Sequence, residues 1–374
     1  MRYLISTIPL CLTILFFSSP AHSQKKILQT EVGNLLLEQV AEGFSVPWAM
    51  AFISPEKILI TEREGRVQIL NLKTNTRYLV KNPPDVVAEG QGGMLDVQLS
   101  PDYKSTGWIY FTYVKDQNDE GVTVLARTKL QDEYFTRWED LLISKSATDT
   151  GYHFGSRIAF DEKGHVYFSI GDRGERENSQ NLMNHAGSVL RLNLDGSIPQ
   201  DNPFVKRKDA LPEIWSYGHR NPQGLSYDYK NKRLWLIEHG PRGGDEINLV
   251  EAGKNYGWPV ISYGKEYWGP ISIGEGTHKE GMQQPVKTYI PSIAPGSLLF
   301  YSSDTISDWK GNLLSGALKL RHINRVVIDE TASAVHEERL LESLGERIRA
   351  LIQSPEGWLY FSTDSGKVFR IRPR

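Results

Sequence analysis

Residues 158–172 read Ile158-Ala-Phe160-Asp-Glu-Lys-Gly164-His-Val166-Tyr-Phe168-Ser-Ile170-Gly-Asp172. A short apolar run, a polar turn ending in glycine, and a second run of β-branched and aromatic residues make the pattern of an antiparallel hairpin. The pattern returns along the chain. Upstream, Met50-Ala-Phe52-Ile-Ser-Pro55 leads to Ile58-Leu-Ile60, and Leu95-Asp-Val97-Gln-Leu99-Ser-Pro101 leads to Trp108-Ile-Tyr-Phe111. Downstream, Leu225-Ser-Tyr227-Asp leads to Leu234-Trp-Leu236, and Leu351-Ile-Gln-Ser-Pro355-Glu-Gly357 leads to Leu359-Tyr-Phe361. A degenerate copy, Leu298-Leu-Phe-Tyr301, passes through Asp308-Trp-Lys-Gly311 to Leu313-Leu314.

From residue 44 onward amphipathic-helix periodicity is scarce, which predicts an all-β chain. Six copies leave room for roughly four strands each, the size of a propeller blade. A six-bladed β-propeller is the economical reading, although the degenerate copy leaves five or seven blades compatible with the pattern. Propellers bind ligands in the central channel, so functional residues are expected at strand starts and in the longer loops.

Composition narrows the function classes. The 374 residues carry 43 Lys+Arg against 45 Asp+Glu, a net charge of -2, and contain no basic run, which removes the electrostatic footprint of a nucleic-acid binder. Arg2, the apolar run Ile5 to Phe17 and the small-x-small triplet Ala21-His22-Ser23 read as a secretory signal over residues 1–23, with residues 24–374 as one propeller domain. The apolar run is shorter than the ~20 residues of a spanning helix, and no second one follows. The single cysteine, Cys11, falls in that signal, so the exported chain is expected to hold neither a disulfide nor a thiolate metal site.

The segments flanking the third and fourth copies carry the chemistry-bearing residues. His153 precedes the 158–168 hairpin and Asp172 follows it, so antiparallel pairing would bring both to one end of the blade. A carboxylate on one imidazole nitrogen leaves the other as a base; a surface His beside a turn Asp would read the same way. Tyr217-Gly-His219-Arg220-Asn221-Pro222 places polar side chains at a rigid corner, and Glu238-His-Gly240-Pro241-Arg-Gly-Gly-Asp245-Glu246 offers oxygens of the kind Ca²⁺ takes. Arg347 and Arg349 share one face of the last strand pair, and Lys319 stands among apolar residues of an expected strand. A polyanionic ligand would explain the three cations; exposed outer strands would too.

Taken in order, Gln91-Gly-Gly-Met-Leu95, Leu190-Arg-Leu-Asn-Leu-Asp195-Gly-Ser-Ile-Pro199, Gly218-His-Arg-Asn-Pro-Gln-Gly224, Asp245-Glu-Ile-Asn-Leu249 and Asn255-Tyr-Gly-Trp-Pro259 resemble the soluble pyrroloquinoline quinone (PQQ)-dependent aldose sugar dehydrogenases. The resemblance runs from Gly43-Phe-Ser-Val-Pro-Trp48 to the last strand pair and implies a six-bladed propeller. It implies that His153 is a general base oriented by Asp172, and that Arg220, Asn221 and Gln91 line the quinone, with Tyr267 nearby. Lys319, Arg347 and Arg349 match cations that hold the cofactor's carboxylates. Gly240 and Pro241 match carbonyls that bind a Ca²⁺ on the quinone, while Glu246 and Tyr256 match part of a second calcium site. The implied reaction is oxidation of an aldose at C1 to the lactone, electrons passing to an unidentified acceptor, in a protein exported to the periplasm. A calcium-dependent propeller lactonase and a non-catalytic carbohydrate- or protein-binding propeller are the alternatives.

Overall fold

A computed structural model describes residues 25–374; the expected signal, residues 1–23, lies outside them. The chain forms six antiparallel sheets in succession, each a meander whose first strand is innermost. These inner strands are Pro47–Ser54, Met94–Leu99, Ile158–Phe160, Pro222–Asp228, Pro295–Phe300 and Ile348–Gln353, for blades 1 to 6 in that order. Each packs against the next and the sixth against the first, which closes a six-bladed propeller.

The six sequence copies are the inner and second strands of the six blades. Second strands are buried on both faces, because alternate side chains enter opposite blade interfaces. Tyr110 packs between blades 2 and 3 and its neighbour Phe111 between blades 1 and 2. Phe168 and Tyr167, Trp235 and Leu236, and Phe361 and Tyr360 divide in the same way. Two-sided burial is therefore why these strands appear as unbroken apolar runs.

The repeats read in the sequence, the first of which begins at Met50, do not show how the ring closes. Gly33–Ala41 pairs with the C-terminal strand Val368–Pro373, Leu37 opposite Ile371, and Lys25–Thr30 adds a fifth strand outside it. The partner of Gly33–Ala41 lies at the other end of the chain, so no local turn announces the pairing. Joining the two ends in one sheet pairs the edge of Val368–Pro373 and ties the last blade to the start of the described chain, leaving Lys25–Thr30 as its outer edge.

On the channel axis stands Arg157, the residue before the inner strand of blade 3. Its guanidinium bonds Asp96 Oδ1 at 3.1 Å and donates to the carbonyls of Gln223 (3.0 Å), Gly296, Arg349 (3.3 Å) and Trp48 (3.5 Å). It also lies 3.9 Å from the Trp48 ring centroid. Those partners come from the inner strands of all five other blades. Burial pushes Arg157 down to about 10 and Asp96 up, and each charge pulls the other back. Removing one partner of such a pair leaves a buried charge uncompensated. Arg157→Met should therefore lower unfolding stability by about 3–5 kcal/mol, read by urea denaturation; a loss below about 1 kcal/mol would show that the axis is not held this way.

Candidate active site

The channel end nearest the starts of the inner strands gathers most of the residues singled out in the sequence. His153 Nδ1 donates to Asp172 Oδ1 at 2.6 Å, and the carboxylate also accepts from Gly174 N and, through Oδ2, from Trp258 Nε1 at 2.8 Å. Antiparallel pairing of Ile158 with Phe168 brings the two loops together. With Nδ1 committed to Asp172, the imidazole keeps Nε2 free to accept a proton. Gln91 Oε1 accepts from the His153 backbone N–H at 3.0 Å, so Gln91 braces the same loop. Burial pushes the His153 pKa down; the bond to Asp172 opposes this, but the charges of Arg220 and Arg173 reinforce it and the pKa falls below 6.5. Burial raises Asp172, but the His153 bond and the nearby cations outweigh it and hold the carboxyl below its ordinary range.

Arg220 lies across from this pair. Its Nη1 donates to Gly240 O at 2.8 Å and His239 O at 3.1 Å, its Nη2 reaches Tyr267 Oη at 3.5 Å, and its buried Nε has no partner. Glu238 fixes the corner, accepting from Arg220 N and from His219 Nδ1. Asn221 is buried and bonded to Gln223, and Tyr267 is 64% exposed on a hairpin pinned by the Arg176–Glu266 pair. Gly240 and Pro241 are backed by Asp245, whose Oδ1 accepts from Gly240 N.

Arg347 and Arg349 both bond Asp364, Nε to carboxylate oxygen at 2.8 Å in each case, so two guanidinium groups share one carboxylate. Burial raises Asp364, but Arg349 and Arg347 outweigh it and keep it ionised. Lys319 departs from the expectation. The strand of blade 5 ends at Ala317, and Lys319 is exposed in the turn beyond, its N–H bonded to Ile293 O, before Arg321 at φ 57 turns the chain. The preceding Leu318 carbonyl accepts from Arg347 Nη1, which places Lys319 beside the arginine pair.

Glu246 and Tyr256 lie apart from this mouth. Burial and then the charge of Glu238 push Glu246 up to about 8, and Asn248 donates to both carboxylates while its own buried Oδ1 has no partner. The Tyr256 hydroxyl is bonded to Leu249 O and Glu251 N and its ring stacks on His219, so only its main-chain carbonyl remains for a cation. Among the described residues no three His, Cys, Asp or Glu side chains gather as a metal cluster.

Four further residues belong to the site. His239 is half-buried, donates Nε2–H to Pro295 O, and is pushed down to about 3 by desolvation and by the charges of Arg220, His153 and Arg349. Trp258 and Asp364 hold the functional carboxylate and cations already described, and Arg173 lies under the His153 loop. Trp258 comes from another blade than Asp172, so local pattern could not pair them; Asp364 ends the hairpin that Arg347 and Arg349 open, and it and His239, beside Gly240, carried local signals.

An oriented histidine at a cation-rich channel end defines a propeller of catalytic type. The family described as Glucose / Sorbosone dehydrogenase matches residues 44–370, and the chain belongs to it. It is 37% identical to the aldose sugar dehydrogenase YliI of Escherichia coli strain K12, over 98% of this chain and 97% of that one. It is 26% identical to quinoprotein glucose dehydrogenase B of Acinetobacter calcoaceticus, over 97% and 92%. The solved apo structure of the soluble Escherichia coli aldose sugar dehydrogenase superposes with a TM-score of 0.87 at 36% identity, covering 91% of this chain and all of that one.

Gly171 allows the close approach of the two loops, since a Cβ there would stand 2.4 Å from His153 O and 2.9 Å from Arg220 O. Gly171→Ala should push His153 away from Asp172 and toward solvent. By NMR titration His153 should show a pKa below 6.5 in the parent protein and a return toward 6.5 in the variant; an unchanged titration would contradict the packing described.

Proposed function

We propose that this chain is an exported PQQ-dependent dehydrogenase that oxidises aldose sugars at C1 to lactones and passes the electrons to a separate acceptor. The observation that carries this reading is the pairing of an oriented base, His153–Asp172, with an excess of positive charge at the same channel end. Arg220, Arg347, Arg349 and Lys319 stand there, and Asp364 offsets only one of the arginine pair. Such a field suits a polyanion, and PQQ carries three carboxylates. The names of the relatives support the assignment, and export rests on the N-terminal pattern at Arg2 to Ser23.

The donor set fits the cofactor. Lys319, Arg347 and Arg349 would take its carboxylates, while Gln91, Arg220, Asn221 and Tyr267 would line it; Arg220 Nε, buried and unpartnered, is a donor in want of an acceptor. Ca²⁺ prefers hard oxygens, and the Gly240 and Pro241 carbonyls supply them at the mouth. A second calcium suits Glu246 with Glu238, the orphaned Asn248 Oδ1 and the Tyr256 carbonyl, where it would relieve the repulsion between the two carboxylates. When bound, the quinone supplies the hydride acceptor.

The chain's own residues do the rest. His153 Nε2 takes the proton of the anomeric hydroxyl, and Asp172 holds the ring in the required tautomer and stabilises the imidazolium that forms. Arg220 presents a fixed positive charge where negative charge develops, so no reorganisation is needed during the reaction. The lowered His153 pKa keeps the base neutral, hence active, through neutral pH. Activity should fall only as pH drops through that pKa, so the acid limb of kcat/KM belongs below pH 6.5. The lactonase alternative needs a metal on the channel axis, where the Arg157 guanidinium stands.

The test is sugar-dependent dye reduction by the purified protein with PQQ and Ca²⁺ supplied together, singly or not at all. Activity requiring both is expected. No turnover and no spectral sign of bound quinone would overturn the reading in favour of lactone hydrolysis or simple binding. His153→Ala should keep the quinone and lose about 10²–10⁴-fold in turnover, whereas wild-type rates would remove His153 from the mechanism. Arg347→Ala with Arg349→Ala should instead weaken quinone uptake, seen by absorbance titration; an unaltered titration would count against the anion clamp.

A further inference from the structure

Arg173 follows Asp172 directly and is fully buried, yet its contacts are carbonyls rather than carboxylates. The guanidinium donates to Tyr152 O, to Thr150 O at 2.8 Å and to Gly121 O at 3.1 Å, and lies 3.5 Å from the centroid of the Phe154 ring. In return the Arg173 carbonyl accepts from the hydroxyls of Thr148 (3.1 Å) and Thr150 (2.6 Å). The segment 148–154 is thus stitched to residue 173 at both ends, with His153 inside it at φ 54 and Arg173 itself at φ 59. Two non-glycine residues in the left-handed region, one in each of the two stitched segments, are strained conformations that the surrounding bonds must enforce.

Burying a cation on carbonyls alone is a costly way to fasten a surface loop. Its position explains it. Asp172 holds the His153 ring and Arg173 holds the backbone on either side of it, through Tyr152 O and the Phe154 ring. We infer that Arg173 is a positioning residue, which clamps the His153 loop on the Asp172 hairpin and so sets the orientation of the base. It does not touch the substrate space; it acts through His153. The inference rests on the proposed role of His153 as base, and the experiment separates the two.

Charge gives a second signature. The groups facing His153 are Asp172 and Arg173 from the loop after the second strand of blade 3, Arg220 from the start of blade 4, and His239 from the loop after its second strand, with uncharged Gln91 from the loop before blade 2. Burial lowers the His153 pKa most, and among the charges Arg220 and then Arg173 add to it. Deleting that charge should move the His153 titration upward, while Arg173→Lys should leave it near the parent position.

The test uses Arg173→Met and Arg173→Lys in the full chain, with His153→Ala as reference. NMR titration of His153 without cofactor is expected to move up in Arg173→Met and to stay in Arg173→Lys. In protein reconstituted with PQQ and Ca²⁺, turnover should fall by about 10–100-fold in both, because a lysine cannot hold three carbonyls, while quinone affinity stays within about twofold of the parent, the expected reading if the role is positional. Parent-like kcat in Arg173→Lys, or parent-like kcat and titration in Arg173→Met, would overturn the inference. Quinone affinity falling in parallel with turnover would overturn it as well, since the role would then be general. If Arg173→Met does not fold, Arg173→Lys decides alone. Full activity in His153→Ala would remove the base instead, leaving the titration to judge the clamp.

Discussion

One guanidinium on the channel axis holds together everything else in this molecule. Arg157 takes its bonds from the inner strands of every other blade, so each blade is fixed to a common centre as well as to its neighbours. It also divides the channel. Past it, toward the ends of the inner strands, lies a cavity of about 1110 Å³ walled by Phe52, Leu99, Phe160, Tyr227 and Phe300. On the other side stand His153, Arg220, Arg349 and His239. The same six strands thus end in an aromatic-walled cavity rimmed by Asp228, Lys230, Arg233, Lys310 and Asp329 at one mouth and carry the His153 and Arg220 loops at the other.

The charged mouth is organised by imbalance. Asp172 is bonded to His153 and Trp258, and Asp364 to two arginines, so neither carboxylate forms an ion pair with Arg220 or Lys319. Burial, reinforced by this field, pushes His239 and His153 toward their neutral forms. A site that keeps its histidines neutral while retaining its guanidinium charges can bind an anion and still accept a proton, which is the combination a quinone-dependent sugar oxidation requires.

Much of this was legible before any coordinates. The blades showed because strands buried on both faces write themselves as aromatic and aliphatic doublets, Tyr110-Phe111, Tyr167-Phe168 and Tyr360-Phe361. His153 and Asp172 showed because they bracket one hairpin. What stayed hidden was non-local. Gly33–Ala41 finds its partner at the far terminus, Trp258 reaches Asp172 from another blade, and a buried Arg173 looks in sequence like any solvated arginine. Lys319 was misplaced for a local reason, since Leu318 and Leu320 continue the apolar run past the point where the backbone leaves the sheet.

The central claim is that the His153 end of the channel, and not the cavity beyond Arg157, receives the tricarboxylate quinone. The most direct test is a crystal structure of the protein grown with PQQ and Ca²⁺. The account predicts the quinone on the His153 side, with its carboxylates on Lys319, Arg347 and Arg349. Quinone lodged among Phe52, Phe160 and Phe300, or a His153 end that stays unoccupied at saturating quinone, would contradict it.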